Sequence, residues 1–265
     1  MKTYPFLQNN ILAPVLFLAF SGACAAADVS DSDSFHREWT NALDSQIHVT
    51  TDFVLNLPEP LGVRTPKTVY AERPGTILEL STQSSYWYAA YVNDAVTTVS
   101  NLSLKNSARG TMMFYGYSAM VFDGITVLDA RDEIAWAAGQ ITVQNGMRIA
   151  VTEYMLFTSS VFDSRDGIVF AQGSVLTLDL SGLSEAFLNT PRRFTLFRNV
   201  QDADLVELNV VGALTAWRLD KVPNGDAAEL VLTVIPEPSA AALCALGAFS
   251  LVWRRRRGGL SRTEG

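Results

Sequence analysis

Between Ala95 and Leu180 the chain repeats itself imperfectly, and this recurrence limits its fold more than any other feature. Val99-Ser-Asn-Leu-Ser-Leu-Lys-Asn and Phe122-Asp-Gly-Ile-Thr-Val-Leu-Asp share one pattern. Each has an apolar residue, a two-residue polar turn, an apolar-polar-apolar strand and a polar end. Ile125-Thr-Val returns as Ile141-Thr-Val, and Phe122-Asp-Gly is echoed by Phe162-Asp-Ser. Asp166-Gly167 leads into another strand, and Asn145-Gly146 and Gln172-Gly173 introduce more. Recurrence at irregular intervals of about 16 to 28 residues predicts a parallel β-helix, in which each coil pairs with the coils above and below. Polar turns absorb the differences in length. An antiparallel β-sandwich, whose strands also recur at short intervals, is the alternative.

The rest of residues 28–234 agrees with an all-β body. Ile47 to Leu55, Thr76 to Leu80, Tyr86 to Val92 and Ser174 to Leu180 are rich in β-branched and aromatic residues. From Arg193 the strands lengthen: Phe194 to Phe197, Leu205 to Val211, Ala216 to Asp220 and Ala228 to Val234. Asn224-Gly225 is a good β-turn pair between the last two. Residues 193–234 therefore read as an antiparallel meander that covers the open end of a solenoid. Helical signals are few. Asp33 to Gln46 predicts one helix, with Ser34 as cap and Phe35, Trp39 and Leu43 on one face. Leu183 to Leu188 predicts a single helical turn.

Both ends read as targeting segments. Residues 1–27 have the build of a secretory signal peptide: Lys2, then an apolar stretch from Ile11 to Phe20, then the small-x-small sites ending at Ala25 and Ala27. Cleavage by signal peptidase after Ala27 is preferred. Ser21-Gly22-Ala23-Cys24 offers a lipoprotein box as a competing reading. At the other end, Pro236-Glu237-Pro238 precedes an uncharged apolar run, Ser239 to Trp253, closed by Arg254, Arg255, Arg256 and Arg257. Arginine-rich flanks stay cytoplasmic, so 239–253 is expected to be a transmembrane helix, followed by a polar tail, 258–265. Fifteen helical residues reach about 22 Å against a hydrocarbon core of about 30 Å. Snorkelling arginines and local thinning narrow that gap.

This three-part arrangement, over 235–257, resembles the PEP-CTERM sorting signal of Gram-negative bacteria. The resemblance implies that Pro236, Glu237 and Pro238 are recognised by exosortase, a membrane-embedded cysteine transpeptidase. It implies a transient inner-membrane tether, with Arg254 to Arg257 as the cytoplasmic stop, and delivery to the cell surface or extracellular matrix of an exopolysaccharide producer. The tripeptide alone is not specific: Pro58-Glu59-Pro60 has no apolar run after it and reads as a loop. The stretch 95–180 resembles the β-helical passengers of autotransporter-type surface proteins.

Composition narrows the chemistry. The two cysteines, Cys24 and Cys244, both fall in the end segments, so the body has no thiol for a disulfide, a nucleophile or a metal. From Asp28 to Val234 there are 25 acidic and 14 basic residues, a net charge of −11. That balance argues against nucleic acid and anionic lipid as partners. His36 and His48 are the only histidines, and they make a poor zinc pair or triad. Asp132-Glu133 and Asp163 with Asp166 are candidate carboxylate pairs that read more simply as solvated turns. Asp28, Asp31 and Asp33 lack the glycine and distal glutamate of a calcium loop. No cofactor or metal is expected.

Tyr86, Trp87, Tyr88 and Tyr91, with Phe114, Tyr115 and Tyr117 later, form the best binding hint. Exposed, they would stack on sugar rings or fill protein pockets; alternate aromatics in strands more often face a core, and that reading is preferred. The function expected is an exported, non-enzymatic surface or matrix protein associated with exopolysaccharide. The alternative is a β-helical polysaccharide lyase using basic residues, for which Arg192-Arg193, beside Pro191 in an apparent linker, is the only adjacent basic pair of the body.

Overall fold

The computed structural model describes residues 26–235, apart from 44, 58, 158–159, 185–186, 188–191 and 213–215. The signal segment up to Ala25, the sorting tripeptide, the apolar run, the arginine stop and the polar tail lie outside the described residues. So do residues 185, 186 and 188 of the helical turn expected at Leu183 to Leu188.

The chain opens with β1 (Ala27–Val29), α1 (Ser32–Thr40), β2 (Gln46–Val49) and β3 (Phe53–Leu55). It then winds through about five turns of a parallel β-solenoid. The first turn is β4 (Leu61–Val63), β5 (Lys67–Tyr70) and β6 (Thr76–Leu80); the second is β7 (Tyr88–Val92), β8 (Thr97–Ser100) and β9 (Leu102–Asn106). The third is β10 (Met112–Gly116) with the long β11 (Met120–Ala130), and the fourth is β12 (Ala135–Ala137) with the long β13 (Ile141–Ala150). The fifth is β14 (Phe162–Ser164), β15 (Ile168–Phe170) and β16 (Val175–Asp179). Then come β17 (Arg192–Val200), β18 (Glu207–Val211), β19 (Ala216–Asn224) and β20 (Ala227–Ile235).

Three parallel sheets result. The first face stacks β4, β7, β10, β12, β14 and β17 at Phe197. The second stacks β1, β2, β5, β8, β11, β13 and β15. The third stacks β3, β6, β9, the later halves of β11 and β13, β16 and β18. The long strands change face at a corner, and the backbone there is left-handed: Gly124 has φ 58°, Asn145 φ 50° and Gly146 φ 85°. Glycine adopts that region without strain and asparagine tolerates it.

The core is built from columns of equivalent residues, one per turn. Phe53, Leu78, Leu104, Val127, Ile149, Leu178 and Val210 are in register along the third face. On the first face Leu61, Ala90, Phe114, Ala135, Phe162 and Phe197 do the same, large rings alternating with alanines before Phe162 and Phe197 stack at 5.4 Å. Asn106 is fully buried and fully paired: its amide donates to the carbonyls of Thr111 and Glu133, and its oxygen accepts from Ala108 N–H. It therefore holds the turn between third and first faces without an unpaired polar atom.

Both ends of the stack are closed. At the start, α1 lays Phe35 and Trp39, stacked at 5.5 Å, against Phe53 and Phe114. Lys67 occupies the inward position that Thr97, Met120, Ile141 and Ile168 occupy in later turns. It is 1% exposed, and its ammonium donates to the carbonyls of Glu38 (2.8 Å) and Asn41 (2.6 Å) at the end of α1. A cation there meets both the orphan carbonyls and the negative end of the helix dipole. At the far end β20 pairs antiparallel with β17, and β19 closes a hairpin on β20 through Gly225 and Asp226, one residue later than the expected Asn224-Gly225 pair. Leu230, Leu232 and Val234 are buried beneath it. The outer strand β19 carries Arg218, Asp220, Lys221 and Pro223, which discourage further pairing along its free edge.

Five expectations are corrected. The helix starts at Ser32, capped by Asp31 in a capping box with Ser34, because Asp31 accepts the Ser34 N–H at 2.7 Å. Leu43 is 85% exposed, since the helix stops at Thr40. Ile125 and Ile141 do not stack: Ile141 pairs with Met120 and Ile125 with Met147, because the two tripeptides lie on different faces. Leu205 to Val211 leaves the meander; its strand β18 pairs parallel with β16. Arg192-Arg193 starts strand β17 rather than lying in a linker. The parallel stack also extends well beyond 95–180, and one turn takes about 20 to 35 residues.

Two predictions follow from these contacts. Lys67→Met should cost about 2 kcal/mol, since two buried carbonyls lose donors. Amide exchange should quicken at Ile47 and Val69 but not at Leu178, because solenoid turns are coupled mainly to neighbours; an unchanged urea midpoint would contradict this. Asp179 accepts from Ser181 Oγ and N–H and from Arg148, which together hold its carboxyl down to about 2. A carboxyl depressed when folded stabilises the fold above its unfolded pKa near 4, and that contribution fades as pH falls from about 4 to 2. Asp179→Asn should lower stability by on the order of 1 kcal/mol at neutral pH and by progressively less as pH falls from about 4 through about 2, measured by urea titration.

Candidate ligand-binding face

The parallel register places side chains of successive turns in rows on the outside as well as the inside. On the first face one outward row runs Gly62, Tyr91, Tyr115, Trp136, Asp163. The turn before β7 adds Tyr86 and Trp87, β7 itself begins with Tyr88, and the residue after β10 is Tyr117. These rings form one connected cluster. Tyr115 lies at its centre: Tyr88 and Trp136 stack on it at 5.0 and 5.1 Å, and Trp87 and Tyr117 meet it edge-on at 4.7 and 5.1 Å. Tyr91 meets Tyr88 edge-on at 5.2 Å. Gly62 supplies the space for Tyr91, for a Cβ there would lie 2.2 Å from the Tyr91 ring.

The preference for a core role holds for Phe114, in the inward column, and is corrected for the other rings. Tyr86, Trp87 and Tyr117 are 54%, 51% and 54% exposed, Tyr88 and Tyr91 are half-buried, and only Tyr115 is buried, at 6%. Its burial comes from the other rings of the strip, on the opposite side of the sheet from the core column of Ala90, Phe114 and Ala135. Burial first, and the neighbouring Tyr117 hydroxyl next, push the Tyr115 phenol above its ordinary range. Burial and the adjacent tyrosines do the same to Tyr88. Both hydroxyls stay protonated at physiological pH, so this part of the strip is uncharged. At its end Asp163 faces Arg198 at 3.9 Å, and Arg198 faces Glu229 at the same distance.

The turns joining the third face to the first form a separate cleft of about 250 Å³, lined by Arg109, Gly110, Arg131, Asp132 and Tyr154. The Arg131 guanidinium lies 4.3 Å from the Tyr154 ring centre, and its Nε is 3.4 Å from Asp129. Asp129 also accepts from Thr152 Oγ1 at 2.7 Å. Arg131 is therefore held in place by an ion pair and a cation–π contact.

The other sequence candidates do not converge. His36 lies on α1; His48 Nδ1 is 2.8 Å from Asp28 Oδ1, and its ring stacks on Tyr70 at 5.1 Å. Asp132 accepts the Glu133 N–H, while Glu133 is buried and accepts from Ser160 Oγ. Asp163 sits in strand β14 rather than in a turn, and Asp166 pairs with Arg165 at 3.1 Å. Ala27 is the first residue of β1, and Asp31 caps α1. Glu59, of the second Pro-Glu-Pro, accepts from Ser85 Oγ in the connection between β3 and β4. Among the described residues no three His, Cys, Asp or Glu side chains gather as metal ligands, and no helix is long and apolar enough to cross a membrane. Trp136, Arg109, Arg131 and Tyr154 were not legible as site residues. For Trp136 the available signal was its position one turn after Tyr115.

The chain matches no family model, no curated protein and no solved structure.

The strip separates a structural ring from exposed ones. Tyr115→Ala should cost about 3 kcal/mol, as for other buried aromatics. Trp87→Ala should cost less than about 1 kcal/mol. Equal losses in thermal unfolding would show that the rings act as one structural unit.

Proposed function

We propose that this chain is an exported structural protein of the cell surface or extracellular matrix, tethered transiently to the inner membrane and sorted by exosortase. The observation that carries the proposal is the order of the C-terminal residues: Pro236-Glu237-Pro238, the apolar run Ser239 to Trp253, and Arg254 to Arg257. A helix breaker, a greasy span and a cationic stop make a membrane tether with a recognition element outside the bilayer. The signal-like segment ending at Ala25 or Ala27 supports export. A body without thiols needs no oxidative folding on arrival. The capped solenoid and its exposed aromatic strip support a role in binding polysaccharide rather than transforming it.

A second reading draws on the cleft between turns. Arg109, Arg131, Asp132 and Tyr154 would serve a lyase, whose basic groups stabilise the anion formed when a proton leaves a uronate ring. Against it, Arg131 is already committed to Asp129 and Tyr154. Release of unsaturated sugars from a uronate polymer, lost in Arg109→Ala, would establish this reading over the first.

Glu237→Ala should leave the precursor unprocessed in the membrane fraction, with the unfolding temperature of the body unchanged. Immunoblots of fractionated cells read the first part, and thermal unfolding the second. Equal processing of parent and variant would remove the sorting assignment.

A further inference from the structure

We infer that the outer aromatic strip of the first face is a binding site for a neutral pyranose polysaccharide lying across the strands, along the solenoid axis. The inference rests on the reading of the chain as a polysaccharide-associated surface protein, and adds to it the site and the class of glycan.

Three observations carry it. The first is periodicity. Tyr91, Tyr115 and Trp136 are register partners on successive turns, and Tyr115 and Trp136 stack at 5.1 Å, close to the step of a parallel sheet. From Gly62 to Asp163 the row crosses five strands, about 19 Å at 4.8 Å per step. That is the length of a short oligosaccharide rather than of one sugar, and a repeating surface suits a repeating ligand.

The second is chemistry. The exposed large apolar side chains of the strip are all aromatic: Tyr86, Trp87 and Tyr117. Exposed aliphatic ones, such as Val54, Val211 and Ile235, lie on other strands. Aromatic faces attract the C–H faces of pyranose rings, and tyrosine hydroxyls bond to sugar hydroxyls. The rings are locked by mutual contact, so little side-chain entropy is lost on binding.

The third is charge. None of the rings from Tyr86 to Trp136 is interrupted in the register row by a lysine or arginine that would anchor an anionic sugar. The raised Tyr115 and Tyr88 phenols add no charge either. The body around the strip carries −11 and repels a polyanion. At the end of the row Asp163 faces Arg198, which also faces Glu229, so that end carries no net positive charge.

The test uses the intact chain in mild detergent, run by native electrophoresis in gels containing a neutral glucan, galactan or mannan, or the polyanion polygalacturonate. At least one neutral polymer should retard the chain while polygalacturonate does not. Trp87→Ala with Tyr117→Ala should weaken retardation at least about tenfold, roughly 1.4 kcal/mol, with circular dichroism and unfolding temperature retained. Trp87→Phe should keep most of the binding. Retardation by polygalacturonate alone would overturn the neutral-glycan inference and leave the polysaccharide reading standing. Retardation by no polymer would overturn both. Loss of a dimer in the double variant, without loss of glycan binding, would assign the strip to self-association instead.

Discussion

A parallel stack of strands ends in unpaired backbone at each side, and everything else in this molecule depends on closing those ends. At the start the closure rests on a buried ammonium. Lys67 takes a core position, runs its aliphatic stem beside the first turn and gives its charge to two carbonyls of α1. The helix is thereby fixed over the rings of Phe53 and Phe114. At the other end a hairpin of opposite direction covers β17 and carries edge charges outward. Between the caps each turn needs only its neighbours, so turns of unequal length coexist as long as the inward columns stay in register.

The same register that builds the core builds the surface. Equivalent positions of successive turns must line up, whether they point in or out. On the first face the outward positions hold aromatic rings in three consecutive turns, with a glycine before them and a carboxylate after. The strip is therefore a by-product of solenoid geometry that a protein acting by adhesion can use directly. The arginine cleft lies at the neighbouring corner, where turns vary most in length. The two sites differ in their chemistry: one is uncharged and extended, the other compact and ionic.

Much of the solenoid was legible in the sequence. Pairing Val99 with Phe122 by pattern gives the observed register, because inward apolar residues and polar corners recur together. The same method failed for Ile125 and Ile141, since β11 and β13 turn a corner midway and identical tripeptides fall on different faces. Leu205 to Val211 has the alternation of any strand, and alternation does not reveal whether the partner is parallel or antiparallel. The role of Lys67 was not legible, because its acceptors lie in a helix far back along the chain. Tyr86 to Tyr91 gave an ambiguous signal: the aromatic run was plain, but which side of the sheet it faced depended on the turns around it. Trp136 was missed because it stands alone among alanines, and only the register brings it to Tyr115.

The proposed function joins the solenoid to a removable tether, and the tether is tested most directly. Mass spectrometry of the mature protein from the producing cell should find a C-terminus near Pro236 to Pro238, with the apolar run and the four arginines gone. A mature protein that retains residues 239–265 would contradict it.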